Sequence, residues 1–414
     1  MPGAIKGMLP DTVPFYHHGG FPADPGWSVA YPLIVSYVSE YYDDARIVEE
    51  HYAGVREFVE SEIAQQAANA SSNGLFWAAA RYGDWCPPVA ISNSTCHFVR
   101  PSISTFYFAT AVETLARFAA RLGNDADAAR YAALAAATRA AFAAQLYNTS
   151  SRLVEDGLPV SQVIALALGG VVPAGDEAAV VAALVASLES GVGGRLAPGA
   201  RPAGGIVFMR YAFEVLARGG RNDVALQMLL ALGFPSVEAW LDAPGSGAAP
   251  GATTLWERWE ETNEQTFGSK NHIMYGGFGK WLVARAGGLG RERSSSGWSR
   301  LVFMPPLAEG PPLNLTSAAY SIAAPSGLCS IEWAVAPGGS ASVALRVPAN
   351  ALAALVLPLP GASARVDERL GPGWVSGACV GGVPGVLGAA ASGAGGEITV
   401  QLASGDFDFA VSAA

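Results

Sequence analysis

"SISTFYFATAVETLARFAARLG" (102–123) and "DADAARYAALAAATRAAFAAQLY" (125–147) decide the fold class. In both runs apolar residues recur at three- and four-residue intervals, the period of an amphipathic helix. A single residue follows the Gly that closes the first run, so the pair reads as one helical hairpin. Outward from this pair the same pattern returns in "WSVAYPLIVSYVSEYYD" (27–43), "DARIVEEHYAGVREFVESEIAQQA" (44–67), "LPVSQVIALALGG" (158–170) and "DEAAVVAALVASLESG" (176–191). It continues in "GIVFMRYAFEVLARGG" (205–220), "RNDVALQMLLALG" (221–233) and "KNHIMYGGFGKWLVARAGGLG" (270–290). Several of these runs end in Gly, suited to a left-handed C-cap, and several open after Asp or Ser as N-cap. They predict a mainly α domain of helical hairpins with short connections.

The texture changes near residue 296. "AYSIAAPSGLCSIEWAVAPGGSASVALRVPANALAALVLPLP" (319–360) alternates short apolar runs with Pro/Gly turns, and "GEITVQLASGDFDFAVS" (396–412) reads as closing strands. Together they predict a small antiparallel β-sandwich. The expected organisation is a helical domain over 1–295 and a β-domain over 296–414. "GAAASGAGG" (388–396) is low-complexity and reads as a flexible loop.

Composition excludes several functions. A chain of 414 residues that is 51% hydrophobic can bury a large core. Its apolar runs are broken by Gly, Pro and acids before the roughly 20 residues a membrane span needs. A formal charge of −10 argues against a nucleic-acid partner, which calls for clustered Lys and Arg. An uncharged or polar small substrate fits better. The four cysteines, Cys86, Cys96, Cys329 and Cys379, show neither CxxC spacing nor His companions, so no metal and no cofactor are expected. Cys86 and Cys96 bracket the Pro-rich "CPPVAISNSTC", which an oxidising compartment would let close as a disulfide. Sequons at Asn69, Asn93, Asn148 and Asn314 suit a secretory route, whereas "MPGAIKGMLPDTVPFYHHGG" has no apolar region of signal-peptide type.

Against this soft, Ala-rich background "GATTLWERWEE" (251–261) stands out. In a chain only 14% charged, Trp256 and Trp259 flank Glu257 and Arg258. Read in order, "GMLPDTVP", "PADPGWSVAYPLIVSYVSEYYDDARIVEEHY", "YGDWCPP", "GATTLWERWEE" and "SKNHIMYGGFGKWL" resemble the catalytic region of the α-L-rhamnosidases, six-hairpin glycosidases built on an (α/α)6 barrel. "YSIAAP" and "LRVPANALAALVLP" are similar to the β-domain that follows it. The resemblance covers about residues 7–360 and rests on "TTLWERW" with the downstream "NH…GG…WL"; the Ala-rich helices add little.

The resemblance implies inverting hydrolysis of terminal α-L-rhamnosyl bonds in a rhamnose-containing glycoside or polysaccharide. Such a reaction needs one carboxylic acid to protonate the leaving oxygen and one carboxylate to activate water on the opposite ring face. Glu257 aligns with the family's "TTxWE" Glu and is the candidate general base; without the resemblance it reads as a solvated acid at a helix N-terminus. Trp27, Trp85 and Trp256 become sugar-pocket aromatics, with a core anchor as the bland alternative for any Trp. Asp84 and His272 become substrate-binding partners, against a turn-bracing Asp and a buried, satisfied His. Trp27, Asp84, Trp85, Glu257 and His272 each precede or begin a predicted helix, so they are expected at one mouth of the barrel.

The family's general acid lies in an acidic, Arg-containing motif ahead of its "LPDTVP" segment, and no substitute is found here. The nine helical runs also fall short of the twelve that six hairpins need. The chain is therefore expected to be incomplete at its N-terminal side, with a pocket open on that side. Two alternatives stay open: a catalytically inactive sugar-binding remnant, and another α/α-barrel glycosidase or a polysaccharide lyase.

Overall fold

The computed structural model describes residues 6–412 except 16–18, 69–72, 77–79, 94–95, 242–250, 261–267, 293–294, 308–314, 359–364, 369–373, 377–378, 381–383 and 392–395. The sequons at Asn69 and Asn314 lie outside the described residues.

The helical part opens with α1 (Pro25–Ser28), α2 (Ala30–Tyr42) and α3 (Arg46–Ala68). After the short α4 (Val89–Ser92) comes the hairpin α5 (Pro101–Arg121) and α6 (Asp125–Leu146). The turn is made by Gly123 at φ +72°, and the Asn124 side chain caps α6 by accepting from the Asp127 amide at 3.2 Å. A two-residue β-ribbon, β1 (Tyr147–Asn148) with β2 (Leu153–Val154), follows. Then come α7 (Pro159–Leu168), α8 (Glu177–Glu189), the kinked turn α9 (Gly191–Gly194), α10 (Ile206–Arg218), α11 (Asn222–Leu229) and α12 (Val237–Leu241). α5 is buried on nearly every side, carrying Ile103, Phe106, Phe108, Val112, Leu115 and Phe118 into contact with α3, α6 and α7. A helix apolar around its whole circumference belongs at the centre of a bundle.

The ninth helical run is not one helix. Residues 270–290 break into a 3₁₀ turn (Ile273–Tyr275), α13 (Phe278–Trp281) and a π-helical turn (Leu282–Ala286). Gly276 and Gly277 mark the break, and a Cβ on Gly277 would stand 2.2 Å from the Met209 carbonyl. The pair serves a close backbone approach to α10, which a continuous helix would not allow.

The strand-rich part has two sheets. β5 (Ser317–Ala324), β6 (Gly327–Val335), β7 (Ala341–Val347), β9 (Arg365–Glu368), β10 (Trp374–Ser376), β11 (Cys379–Val380) and β14 (Gly405–Ser412) make one, in the order β11-β10-β9-β14-β7-β6-β5. The other is β12-β13-β8-β4-β3, from β3 (Leu289–Arg291), β4 (Arg300–Phe303), β8 (Leu352–Pro358), β12 (Val386–Ala391) and β13 (Glu397–Leu402). All pairs are antiparallel except β4 with β8. Both sheets feed one core around Phe303, Cys329, Trp333, Leu355, Val400 and Phe409. The low-complexity stretch is a strand for its first four residues, since Gly388–Ala391 belong to β12 and pair with β13; Ser392–Gly395 lie outside the described residues.

The chain divides into two compact units, Met1–Ser36 with Arg46–Phe278, and Tyr37–Ala45 with Gly279–Ala414. The change of texture near 296 falls inside the second. Among the described residues no helix is long and apolar enough to cross a membrane.

Candidate active site

Residues 81–86 and 96–98 form a small platform. The Asp84 amide donates to the Phe98 carbonyl at 2.9 Å, Phe98 N–H to the Tyr82 carbonyl at 2.9 Å, and Cys86 N–H to the Cys96 carbonyl at 2.9 Å. Gly83 makes this pairing possible: its φ is +62°, and a Cβ there would stand 1.9 Å from the Phe98 carbonyl oxygen. Cys86 and Cys96 are joined as the spacing suggested, in a disulfide that closes the turn between them.

The platform sets three rings side by side. Tyr82 and Trp85 have centroids 5.2 Å apart, Trp85 and His97 4.9 Å, and Tyr82 and His97 5.6 Å. Trp27, on α1, joins them at 4.4 Å from Tyr82 and 6.2 Å edge-on to Trp85. Its helix is capped by Asp24, which accepts from Gly26 N–H at 2.8 Å and, through its other oxygen, from the amides of Arg81 and Tyr82 at 2.6 and 3.0 Å. Asp11, from "LPD", accepts from the Tyr82 hydroxyl at 2.7 Å, the Arg81 guanidinium at 2.9 Å and the Asp24 amide at 2.7 Å. Burial alone would raise the Asp11 carboxyl, but these donors hold it below its ordinary range. Asp24 goes the other way, because burial outweighs its three amides.

Glu257 reaches this cluster from the other side. Its Oε1 accepts the Trp85 indole N–H at 2.9 Å and its Oε2 accepts the Ser269 amide at 2.7 Å, while Glu257 N–H donates to the Ser269 carbonyl at 2.9 Å. Each carboxylate oxygen thus takes one donor in a half-buried setting and keeps further lone-pair capacity. Glu257 does not sit on a helix turn: residues 255–260 are irregular, and the segment after Glu260 is outside the described residues.

The bracket of tryptophans works from beneath. Trp259 stacks on Trp240 with centroids 4.5 Å apart and donates to the Gly204 carbonyl at 2.9 Å, while Trp240 donates to the Arg258 carbonyl at 3.1 Å. Trp256, expected to face sugar, is instead buried against Trp240 at 6.4 Å, with the Lys270 ammonium 4.4 Å from its ring centroid. An irregular loop with few backbone bonds needs such anchors to hold one carboxylate in place. Glu260 accepts the Val89 amide at 2.6 Å, and burial raises its carboxyl.

Asp84 also departs from the sequence expectation. It has no exposed surface, and its carboxylate receives the amides of Gly205, Val207 and Phe208 at 2.7, 2.9 and 3.1 Å. It caps α10 and, wholly buried, presents no surface to a substrate. Burial pushes it up to about 6 against the pull of those amides. Next to it the Trp85 carbonyl accepts Ile206 N–H at 3.0 Å, so the start of α10 fixes the backbone of Trp85. His272 stands at the N-cap of the 3₁₀ turn, its amide donating to the Leu255 carbonyl at 2.7 Å. Its Nδ1 is shielded and has no hydrogen bond among the described residues.

Geometry thus joins Trp27, Trp85 and Glu257, sets His272 on the strand-like segment beside Glu257, and removes Asp84 and Trp256 from the rim. Sequence reasoning missed Tyr82 and His97, whose signal was adjacency: one lies two residues before the Gly-Asp-Trp tryptophan's aspartate, the other directly after a bridging cysteine. Among the described residues no group of three or more His, Cys, Asp or Glu is arranged to hold a metal ion.

Residues 3–286 match the family described as bacterial alpha-L-rhamnosidase 6 hairpin glycosidase domain, and residues 288–371 the bacterial alpha-L-rhamnosidase C-terminal domain. An alpha-L-rhamnosidase of Streptomyces avermitilis is 31% identical over 293 residues, covering 69% of this chain and 25% of that protein. One from Formosa agariphila is 27% identical over 340 residues, covering 80% and 33%. The solved alpha-L-rhamnosidase from Dictyoglumus thermophilum superposes with a TM-score of 0.80 at 26% identity, over 99% of this chain and 42% of that one. The Streptomyces avermitilis enzyme solved with L-rhamnose gives 0.77 at 25% identity, over 99% and 35%. The chain spans a quarter to a third of the length of these curated relatives.

Proposed function

The chain belongs to the bacterial α-L-rhamnosidase six-hairpin glycosidase family, and on that premise we propose that its aromatic platform binds a terminal α-L-rhamnosyl residue, with Glu257 as the general base of inverting hydrolysis. One observation carries the proposal: the 2.9 Å bond from the Trp85 indole to Glu257 Oε1, which couples the platform to the carboxylate. A 6-deoxyhexose presents an apolar face and a methyl group that suit the rings of Trp27, Tyr82 and Trp85. With one oxygen on Trp85 and the other on the Ser269 amide, the carboxylate keeps lone pairs for an attacking water. It takes the water's proton as the oxygen adds to the anomeric carbon and the glycosidic bond breaks.

The leaving oxygen needs a proton from a second carboxyl, and no motif in these residues matches the family's acid. General acid catalysis contributes about 10²–10⁴-fold, so the loss should fall on alkyl rhamnosides and largely spare aryl rhamnosides, whose phenolate leaves readily. The test compares the two substrates on the wild-type chain and on Glu257→Gln. Measurable aryl turnover that vanishes in Glu257→Gln is expected; turnover unchanged by that substitution would refute the base assignment. Full activity on alkyl rhamnosides would mean that another carboxyl supplies the proton. Rhamnose binding that weakens in Trp85→Ala, with no turnover on either substrate, would identify a binding protein instead.

A further inference from the structure

His97 has no role in the proposal above, yet it is the most exposed member of the ring cluster. Its Nδ1 lies 3.0 Å from the Arg81 carbonyl oxygen. A carbonyl only accepts, so Nδ1 carries the hydrogen, and in the neutral ring Nε2 is then an acceptor. No described residue donates to Nε2. The backbone is fixed on both sides, through the Cys96 bridge to Cys86 and through Phe98 N–H bonded to the Tyr82 carbonyl. Trp85 and His97 therefore flank the same disulfide, one at each end, with centroids 4.9 Å apart and planes at 83°.

An exposed imidazole bonded to one carbonyl adds little to stability, because water competes for both groups. An acceptor of fixed tautomer at the edge of an indole face is instead what a polyol requires: the ring covers an apolar sugar face while a convergent polar group reads a hydroxyl. Resting on the rhamnosidase reading, we infer that His97 is a specificity-determining residue whose Nε2 accepts a hydrogen bond from one hydroxyl of the sugar seated on Trp85.

Two substitutions separate this role from a structural one. His97→Asn keeps an amide donor near the Arg81 carbonyl but removes the acceptor at the Nε2 position; His97→Gln extends an acceptor toward that position. With an aryl α-L-rhamnoside, His97→Asn should raise KM about three- to tenfold with a smaller change in kcat, the size of one lost neutral hydrogen bond, and His97→Gln should stay nearer the wild type. Across a set of monodeoxy rhamnosides, the gap between wild type and His97→Asn should close on the one analogue that lacks the contacted hydroxyl. Asparagine behaving as wild type while glutamine is impaired would assign His97 to its Nδ1 bond and overturn the inference. A gap that persists on every deoxy analogue would also overturn it. Thermal melts of both variants check that the fold is kept. A wild-type chain that neither binds nor cleaves rhamnosides would defeat the rhamnosidase reading itself, which is distinguishable because no substitution at His97 enters that result.

Discussion

The Asp84 carboxylate accepts three amides at the head of α10 and is wholly buried, and burial lifts it to about 6 from an ordinary value of 3.8. A folded-state value above the unfolded one means that the native chain holds this proton more tightly. Its contribution to stability is therefore full below about 3.8 and is lost as pH rises through about 6. Asp84→Asn cannot titrate. The difference in unfolding free energy, wild type minus Asp84→Asn, should fall by about 2 kcal/mol between about pH 4 and about pH 7, measured by urea titration. A difference constant across that range would sink the claim. Of the residues expected at one place, Trp27, Trp85 and Glu257 do lie together, and they were legible because "DPGW", "GDW" and "TTLWERW" are distinctive strings. Asp84 and Trp256 misled for a physical reason: a motif carries whatever holds the site as well as whatever touches the ligand, and residue type does not separate a capping carboxylate from a binding one.

The platform loop shows what an element adds to its residues. Tyr82, Trp85 and His97 come together only because Gly83 permits the Phe98 carbonyl to approach and the bridge closes the intervening turn. The bridged residues are separated by 10 positions, and chain entropy gives such a closure about 2–4 kcal/mol. Replacing both Cys86 and Cys96 by Ser should lower unfolding stability by about that amount and raise the KM for an aryl rhamnoside, since Trp85 and His97 lose their common tether. Equal stability with and without the bridge in denaturant titrations would contradict this. The long helices were readable because their periodicity is local. The break at Gly276–Gly277 was not, because its cause is the Met209 carbonyl on α10, dozens of residues earlier in the chain. The strand β12 escaped notice for the same reason: Gly and Ala become a strand there only by pairing with β13.

At the scale of the whole molecule, each unit carries its own core. The second unit also takes in Tyr37–Ala45, held where the Arg291 guanidinium meets Glu40 at 2.8 Å and Tyr41 packs 6.1 Å from Trp298. Contacts across 251 positions leave no local signature, so the texture change near 296 could locate the strands and still not this segment. Within the strand unit Trp333 is fully buried and donates to the Ala286 carbonyl at 3.2 Å. Trp333→Ala removes a fully buried tryptophan from that core and strands the Ala286 carbonyl, at a cost of about 3–5 kcal/mol. Because separate cores need not unfold in one step, the effect should be confined. The strand unit's transition, followed by limited proteolysis of its fragments, should move to lower denaturant. The loss of helical circular dichroism should keep its midpoint, and turnover of an aryl rhamnoside at low denaturant should persist. If both signals shift together to a common lower midpoint, the two units fold as one cooperative body and the independence of their cores is wrong.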